Sequence, residues 1–192
     1  MTKNTDVLVV GGGLMGCSIA YQLASRGVLT TLIERNSEPG KETTARSGAI
    51  IRAHYGVPEL VALAKESNDY FLRFEDEVGA PCGFVQCGYV VLVDESDAVV
   101  LKANTAMQKE VGANVNLLRP CDVSEIAPSV KTDDIALASY EPLGGYANPS
   151  LTVASFAKRA AELGATFIYS ATPVSAARTS ATRVIATREP AS

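Results

Sequence analysis

Asp6-Val-Leu-Val-Val10 runs straight into Gly11-Gly-Gly13 and continues as Leu14-Met-Gly16-Cys-Ser-Ile-Ala-Tyr-Gln-Leu-Ala-Ser-Arg26. After Gly27 it reaches Leu29-Thr-Thr-Leu-Ile-Glu34-Arg35. The first run is apolar and β-branched and stops abruptly at the glycines, so it reads as a buried parallel strand. From Leu14 to Arg26 apolar residues recur at helical spacing, and Gly27 supplies a C-terminal stop. Leu29 to Ile33 reads as a second buried strand. Strand, glycine turn, helix and strand make one complete βαβ unit, which places the chain in the α/β class.

Within that unit Gly11-x-Gly13-x-x-Gly16 gains meaning from its context, because it follows a strand, opens a helix and precedes a strand that ends in an acid. Gly11 permits the tight turn, Gly13 lets backbone approach a pyrophosphate, and Gly16 lets the helix pack closely on the strand. The first helical residues, Leu14, Met15 and Gly16, present unpaired N–H groups and a partial positive charge to that pyrophosphate. Glu34 is placed to accept hydrogen bonds from adenosine ribose hydroxyls, and its charge disfavours the 2′-phosphate of NADP. The fingerprint leaves NAD and FAD open.

Outward from this unit, the 192 residues are 47% hydrophobic and 20% charged, which excludes a disordered chain. The length suits one ordinary domain, or one domain and part of another. A net charge of −4 with no dense basic run argues against nucleic acid and anionic membrane surfaces. Cys17, Cys82, Cys87 and Cys121 lack Cys-x-x-Cys spacing and only one histidine accompanies them, so no metal site is expected. They read as reduced thiols of a cytoplasmic protein. The uncharged stretch from Val7 to Ala24 is interrupted by three glycines and by Ser18, Tyr21 and Gln22, so neither a membrane span nor a signal peptide is expected.

Residues 36–48 form a long polar loop, a feature that in a compact domain usually serves function. Pro58 opens a predicted helix to about Val78, with Leu60, Leu63, Ala64, Tyr70, Phe71 and Phe74 on its inner side. A strand over 88–93 and a helix over 96–111 follow. Asn148 reads as an N-cap with Pro149 in the first helical position, and that helix ends at Gly164. Short strands near 166–169, 174–177 and 183–187 finish the chain.

The segment Thr44-Ala-Arg-Ser-Gly-Ala-Ile-Ile-Arg-Ala-His-Tyr-Gly56, with the fingerprint, Glu34-Arg35, Gly88-Tyr-Val-Val-Leu and Gly144-Gly-Tyr-x-x-Pro, resembles the FAD-dependent oxidoreductases of the D-amino-acid oxidase type. Within them it is similar to the branch of sarcosine oxidases, dimethylglycine dehydrogenase and glycine oxidase. The resemblance implies a discontinuous Rossmann-like FAD-binding domain over 1–80 and 144–192, with 81–143 as part of an inserted α+β substrate domain. It implies FAD contacts from Gly11, Gly13, Leu14, Met15, Gly16, Glu34 and Arg35, and from Thr43, Thr44, Arg46, Ser47 and Gly48 in the loop. Val174 matches a strand residue that lies against the adenine. A bound pyrophosphate needs more donors than one helix end provides, which agrees with the hydroxyls and the cation of the loop.

The resemblance assigns Arg52 to the carboxylate of a small amine or amino-acid substrate, which a guanidinium can grip through two parallel hydrogen bonds. Ala49 departs from the branch, where monomeric sarcosine oxidases carry a second arginine. His54 is a candidate for covalent flavin attachment, set against a surface or hydrogen-bonded histidine beside Tyr55. The implied chemistry is oxidation of a C–N bond next to a carboxylate. A hydride equivalent passes to flavin N5, the imine hydrolyses, and oxygen or another acceptor takes the electrons. Relatives are longer, so the closing parts of both domains are expected to lie in a C-terminal half or a partner subunit. The alternative is a dinucleotide-binding fragment or subunit without activity of its own, and a NAD-dependent dehydrogenase is a third reading. Without those closing segments the sheet edges are expected to be sticky.

Overall fold

The βαβ unit forms as the sequence predicts. The structure, a computed structural model, describes residues 4–178 and 184–190, with side chains described over 5–173. In chain order the elements begin with β1 (Asn4–Thr5), β2 (Val7–Val10), α1 (Leu14–Ala24), β3 (Thr30–Ile33), β4 (Ile50–Ile51), α2 (Pro58–Leu72), α3 (Phe74–Val78), β5 (Val85–Gln86) and β6 (Tyr89–Val93). They continue with α4 (Ala98–Glu110), β7 (Asn116–Leu118), α5 (Pro120–Ile126), β8 (Leu137–Glu141), β9 (Gly145–Tyr146), α6 (Pro149–Glu162), β10 (Thr166–Ile168), β11 (Ala171–Arg178) and β12 (Val184–Pro190).

The chain divides into two compact units, one made of 1–49, 74–83 and 148–192, the other of 50–73 and 84–147. In the first, β3 lies between β2 and β10 in a parallel sheet, with Val9 opposite Leu32 and Phe167 also opposite Leu32. All four residues of β3 are buried, as a central strand covered on both faces requires. A separate antiparallel sheet runs in the order β1-β12-β11. Helices α1 and α6 pack through Tyr21 and Phe156, whose ring centres are 5.5 Å apart, and Phe156 meets Phe74 edge-on at 4.9 Å. The α6 start follows the expected chemistry: Asn148 Oδ1 accepts the Leu151 N–H at 3.0 Å, and Pro149 occupies the first helical position.

The second unit holds an antiparallel sheet, β6-β8-β7, and a small sheet in which β9 pairs with both β4 and β5. That pairing is why residues 50–73 belong with 84–147 rather than with the segment up to 80 drawn from the sequence. Its core gathers Ala53, Val61, Ala113 and Val115. The predicted helix over 58–78 is two helices, because at Arg73 the backbone leaves helical geometry (φ −111°, ψ 18°) and α3 starts afresh at Phe74. The inner face of α2 also differs. Leu60 and Leu63 are 46% and 62% exposed, whereas Val61 and Asn68, seven residues apart and therefore on one helical face, are the buried pair.

Candidate functional site

In the first unit, β2 delivers the chain to Gly11, whose φ of +100° only glycine adopts without strain. Its N–H donates to the Ile33 carbonyl at 2.8 Å, tying the turn to the end of β3. Gly16 is required for a different reason. A Cβ there would lie 1.9 Å from the Gly11 carbonyl oxygen, so the first turn of α1 could not sit against the loop that precedes it. Gly13 caps α1 but has no side chain to accept a helix N–H; Thr44, from the distant loop, supplies the acceptor, with Leu14 N–H to Thr44 Oγ1 at 3.1 Å. The first turn of α1 carries no acidic residue, so its positive end is left for an anion.

Glu34 follows the last residue of β3 and is buried. Its Oε2 accepts the Gly12 N–H at 2.6 Å, and its Oε1 accepts both the Asn36 N–H and the Asn36 side-chain amide at 2.8 Å. Burial alone would raise its pKa, but the hydrogen bonds from Asn36 and Gly12, with the charge of Arg35, outweigh it and hold the carboxyl below its ordinary value. Oε2 keeps a lone pair for a further donor such as a sugar hydroxyl. Gly12 is thus a working residue that the fingerprint leaves as an x. A Cβ there would lie 3.1 to 3.2 Å from Glu34. The signal was present in the unbroken trio of glycines. Cys17 lies beneath the turn, with Sγ 3.5 Å from the Gly12 carbonyl; burial and the Glu34 charge push its pKa up to about 12, so it is an inert thiol.

These groups border a cavity of about 310 Å³, within the size range of small-molecule sites. Gly11, Gly13, Glu34, Arg35, Thr43 and Thr44 line it, and so does Lys41, which sequence reasoning passed over. Arg35 bonds to Glu42 Oε1 at 3.0 Å and Arg46 to Glu42 Oε2 at 3.2 Å, both exposed. Leu14, Met15, Gly16, Arg46, Ser47 and Gly48 are outside the lining; Ser47 Oγ instead accepts the Ala49 N–H at 3.0 Å. Thr172 and Pro173 of β11 complete the wall. The next residue, Val174, is passed over at the point where the β11–β12 register shifts, and its side chain lies outside the described residues. A lining that combines backbone donors, hydroxyls and cations with a carboxylate acceptor matches a phosphate-linked, hydroxylated nucleotide.

In the second unit, β4 leads directly to Arg52. Its guanidinium donates to the His54 carbonyl and lies over the rings of Tyr55 and Tyr89, 4.9 and 5.3 Å from their centres. Arg52 lines a cavity of about 250 Å³ with Tyr55, Leu60, Leu63, Asn68 and Phe71 among its walls. His54 is buried, with Nδ1 2.9 Å from Glu141 Oε2 and Nε2 2.9 Å from Ser139 Oγ. Both ring nitrogens are therefore occupied by protein partners, the hydrogen-bonded state set against covalent attachment in the sequence reading. Glu141 and Ser139 carried no sequence signal beyond being polar residues of a strand, and Asn68 none beyond lying in the polar run Lys65-Glu-Ser-Asn-Asp69.

The family described as FAD dependent oxidoreductase matches residues 6–191. The chain is 30% identical over 174 residues to FAD-dependent oxidoreductase domain-containing protein 1 of Xenopus laevis, covering 84% of this chain and 35% of that one. It is 26% identical to mitochondrial sarcosine dehydrogenase of Homo sapiens, covering 88% and 18%. The crystal structure of L-proline dehydrogenase from P. horikoshii matches with a TM-score of 0.85 at 30% identity, over 90% of this chain and 46% of that one. The chain thus spans well under two thirds of each of these proteins. A glycine turn joined to a buried acid, the cavity that both line and a family match over nearly the whole sequence lead to one conclusion: the chain belongs to the FAD dependent oxidoreductase family, and its cofactor is FAD.

Proposed function

We propose that the protein oxidises the C–N bond of an amino acid or N-methyl amino acid, with Arg52 holding the substrate carboxylate. The observation that carries this reading is Arg52 itself, a guanidinium on the wall of a mainly apolar cavity with no carboxylate paired to it among the described residues. Such a group offers two parallel N–H donors to one carboxylate while the apolar walls contact the rest of the ligand. The names of relatives agree, since sarcosine and L-proline are both secondary amines bearing a carboxylate. FAD, when bound, supplies the hydride acceptor for the carbon that bears the nitrogen.

The residues of this chain then bind and orient. Gly11, Gly13, Thr43 and Thr44 hold the pyrophosphate, with Leu14, Met15 and Gly16 supplying the helix start and Arg46, Ser47 and Gly48 continuing the loop along the cofactor. Glu34 takes the ribose, Arg35 adds a cation, and Val174 lies at the adenine. His54 acts by holding its neighbours. The wide spacing of Cys17, Cys82, Cys87 and Cys121, with no Cys-x-x-Cys pair, supports a reducing compartment such as the cytoplasm.

Anaerobic mixing of the FAD-loaded protein with sarcosine, L-proline and glycine tests the reading. At least one is expected to bleach the flavin absorbance, and Arg52→Lys is expected to raise KM for it about tenfold to a hundredfold, the value of a charge-assisted pair. If none of the three bleaches a fully loaded sample, the substrate class is wrong.

A further inference from the structure

Glu141 closes β8 with its side chain only 3% exposed, and no lysine or arginine among the described residues pairs with it. It is nevertheless saturated. The Ala53 N–H donates to both carboxylate oxygens at 2.9 Å, the Asn68 amide to Oε1 at 2.6 Å, and His54 Nδ1 stands 2.9 Å from Oε2. With the imidazole neutral and Nδ1 protonated, every contact in the cluster has one donor and one acceptor. Thr105 donates to Ser139 Oγ at 3.2 Å, Ser139 to His54 Nε2, and His54 to Glu141. A buried carboxylate is costly unless it is fully hydrogen-bonded, and such a network rigidifies what it joins.

What it joins brackets Arg52. On one side, Ile51 is held by its pairing with Gly145 in the small sheet. On the other, Ala53 is held through its N–H and His54 through its ring, while the Arg52 guanidinium itself donates to the His54 carbonyl. Asn68, the remaining partner, is part of the cavity wall. The backbone after Arg52, and the carbonyl that orients its head, are thus fixed by contacts that converge on one acid, while strand pairing fixes the residue before it.

We propose that Glu141 is a positioning residue which, by holding Ala53 and His54, sets the pose in which Arg52 meets the substrate carboxylate. The proposal rests on the carboxylate role given to Arg52 above. It makes no claim that Glu141 touches substrate, and Glu141 is not part of the cavity wall.

The test uses the FAD-loaded, full-length protein and whichever of sarcosine, L-proline or glycine bleaches it, each compared with its own carboxamide. The quantity read is the preference for acid over amide in kcat/KM. Arg52→Lys is expected to collapse that preference. Glu141→Gln, which keeps the shape but loses one acceptor, is expected to narrow it about tenfold through KM, with kcat little changed. Glu141→Asp is expected to recover part of it, and Ser139→Ala, beyond His54 in the network, to narrow it less. A general loosening of the fold would weaken acid and amide alike and leave the ratio where it was. If Arg52→Lys leaves the preference intact, the carboxylate reading of Arg52 falls. If Arg52→Lys collapses it while Glu141→Gln, or Ser139→Ala where the glutamine variant does not fold, leaves it untouched, the positioning proposal is overturned and the reading of Arg52 stands.

Discussion

Among the described residues each unit buries one glutamate at the end of a strand, and the two do opposite work. Glu34 takes its hydrogen bonds from Gly12 and Asn36, stands on the wall of a cavity and keeps acceptor capacity for something outside the protein. Glu141 takes its hydrogen bonds from Ala53, Asn68 and His54, stands behind the wall and has its capacity consumed within the fold. The difference teaches how a buried carboxylate can be read. One that faces a cavity with a spare lone pair is a ligand acceptor, and one that is saturated from inside organises the residues around it.

The largest effect that can break this contrast is on stability. Glu141→Ala leaves the Ala53 N–H, the Asn68 amide and the His54 ring without their acceptor in a buried site. A buried donor left without its acceptor costs about 1–3 kcal/mol, and three are left here. Urea unfolding of the FAD-free protein is expected to show that loss for Glu141→Ala and a much smaller one for Glu34→Gln. Equal losses for the two would mean that Glu34 is as structural as Glu141, and the contrast would fail.

Glu34 is the intermediate case, and its own prediction concerns pH and cofactor. Its folded pKa lies below its unfolded value near 4.5, so the stability it contributes is fully present above pH 4.5 and is lost as pH falls through the folded pKa. Glu34→Gln is expected to flatten that part of the acid-unfolding curve. The same variant is expected to weaken FAD binding about tenfold or more, as the loss of a charge-assisted acceptor implies, with fluorescence titration of the cofactor as the measure. If FAD binds Glu34→Gln as tightly as the parent, the carboxylate serves only Gly12 and Asn36.

The same contrast explains what could be read before the fold was known. The Glu34 site is assembled from the contiguous stretch Asp6 to Arg35 plus one loop, so glycine spacing, strand pattern and terminal acid were all local signals, and the turn, α1 and β3 follow them closely. The Glu141 site joins residues 73 to 88 positions apart in sequence, through strand pairing that no local pattern specifies. The same non-locality placed residues 50–73 in the second unit. It also turned α2 so that Val61 and Asn68, rather than Leu60 and Leu63, face inward. Helix periodicity marks an apolar stripe but cannot say which of two adjacent stripes the core will cover. The break at Arg73 had no glycine or proline to announce it.

Thr44 gives the smallest and sharpest test, because it crosses the line between the two kinds of residue. The sequence resemblance makes this loop threonine a cofactor contact, and it does line the cavity, yet its Oγ1 already accepts the Leu14 N–H and so replaces the cap that Gly13 cannot provide. The approach is close, since a Cβ on Gly13 would lie 3.3 Å from the same hydroxyl oxygen and would crowd it. The helix start and the loop are therefore held together by the group that a bound phosphate would also seek. Thr44→Val keeps the shape and removes the acceptor, so the FAD-free protein is expected to lose about 1 kcal/mol, the usual value of an N-cap, measured by thermal unfolding. With FAD bound, phosphate oxygens can take over the Leu14 N–H, and the difference between Thr44→Val and the parent is expected to shrink. A deficit that grows on cofactor addition would instead show that the hydroxyl acts on the pyrophosphate more than on the helix, and would move Thr44 wholly to the side of Glu34.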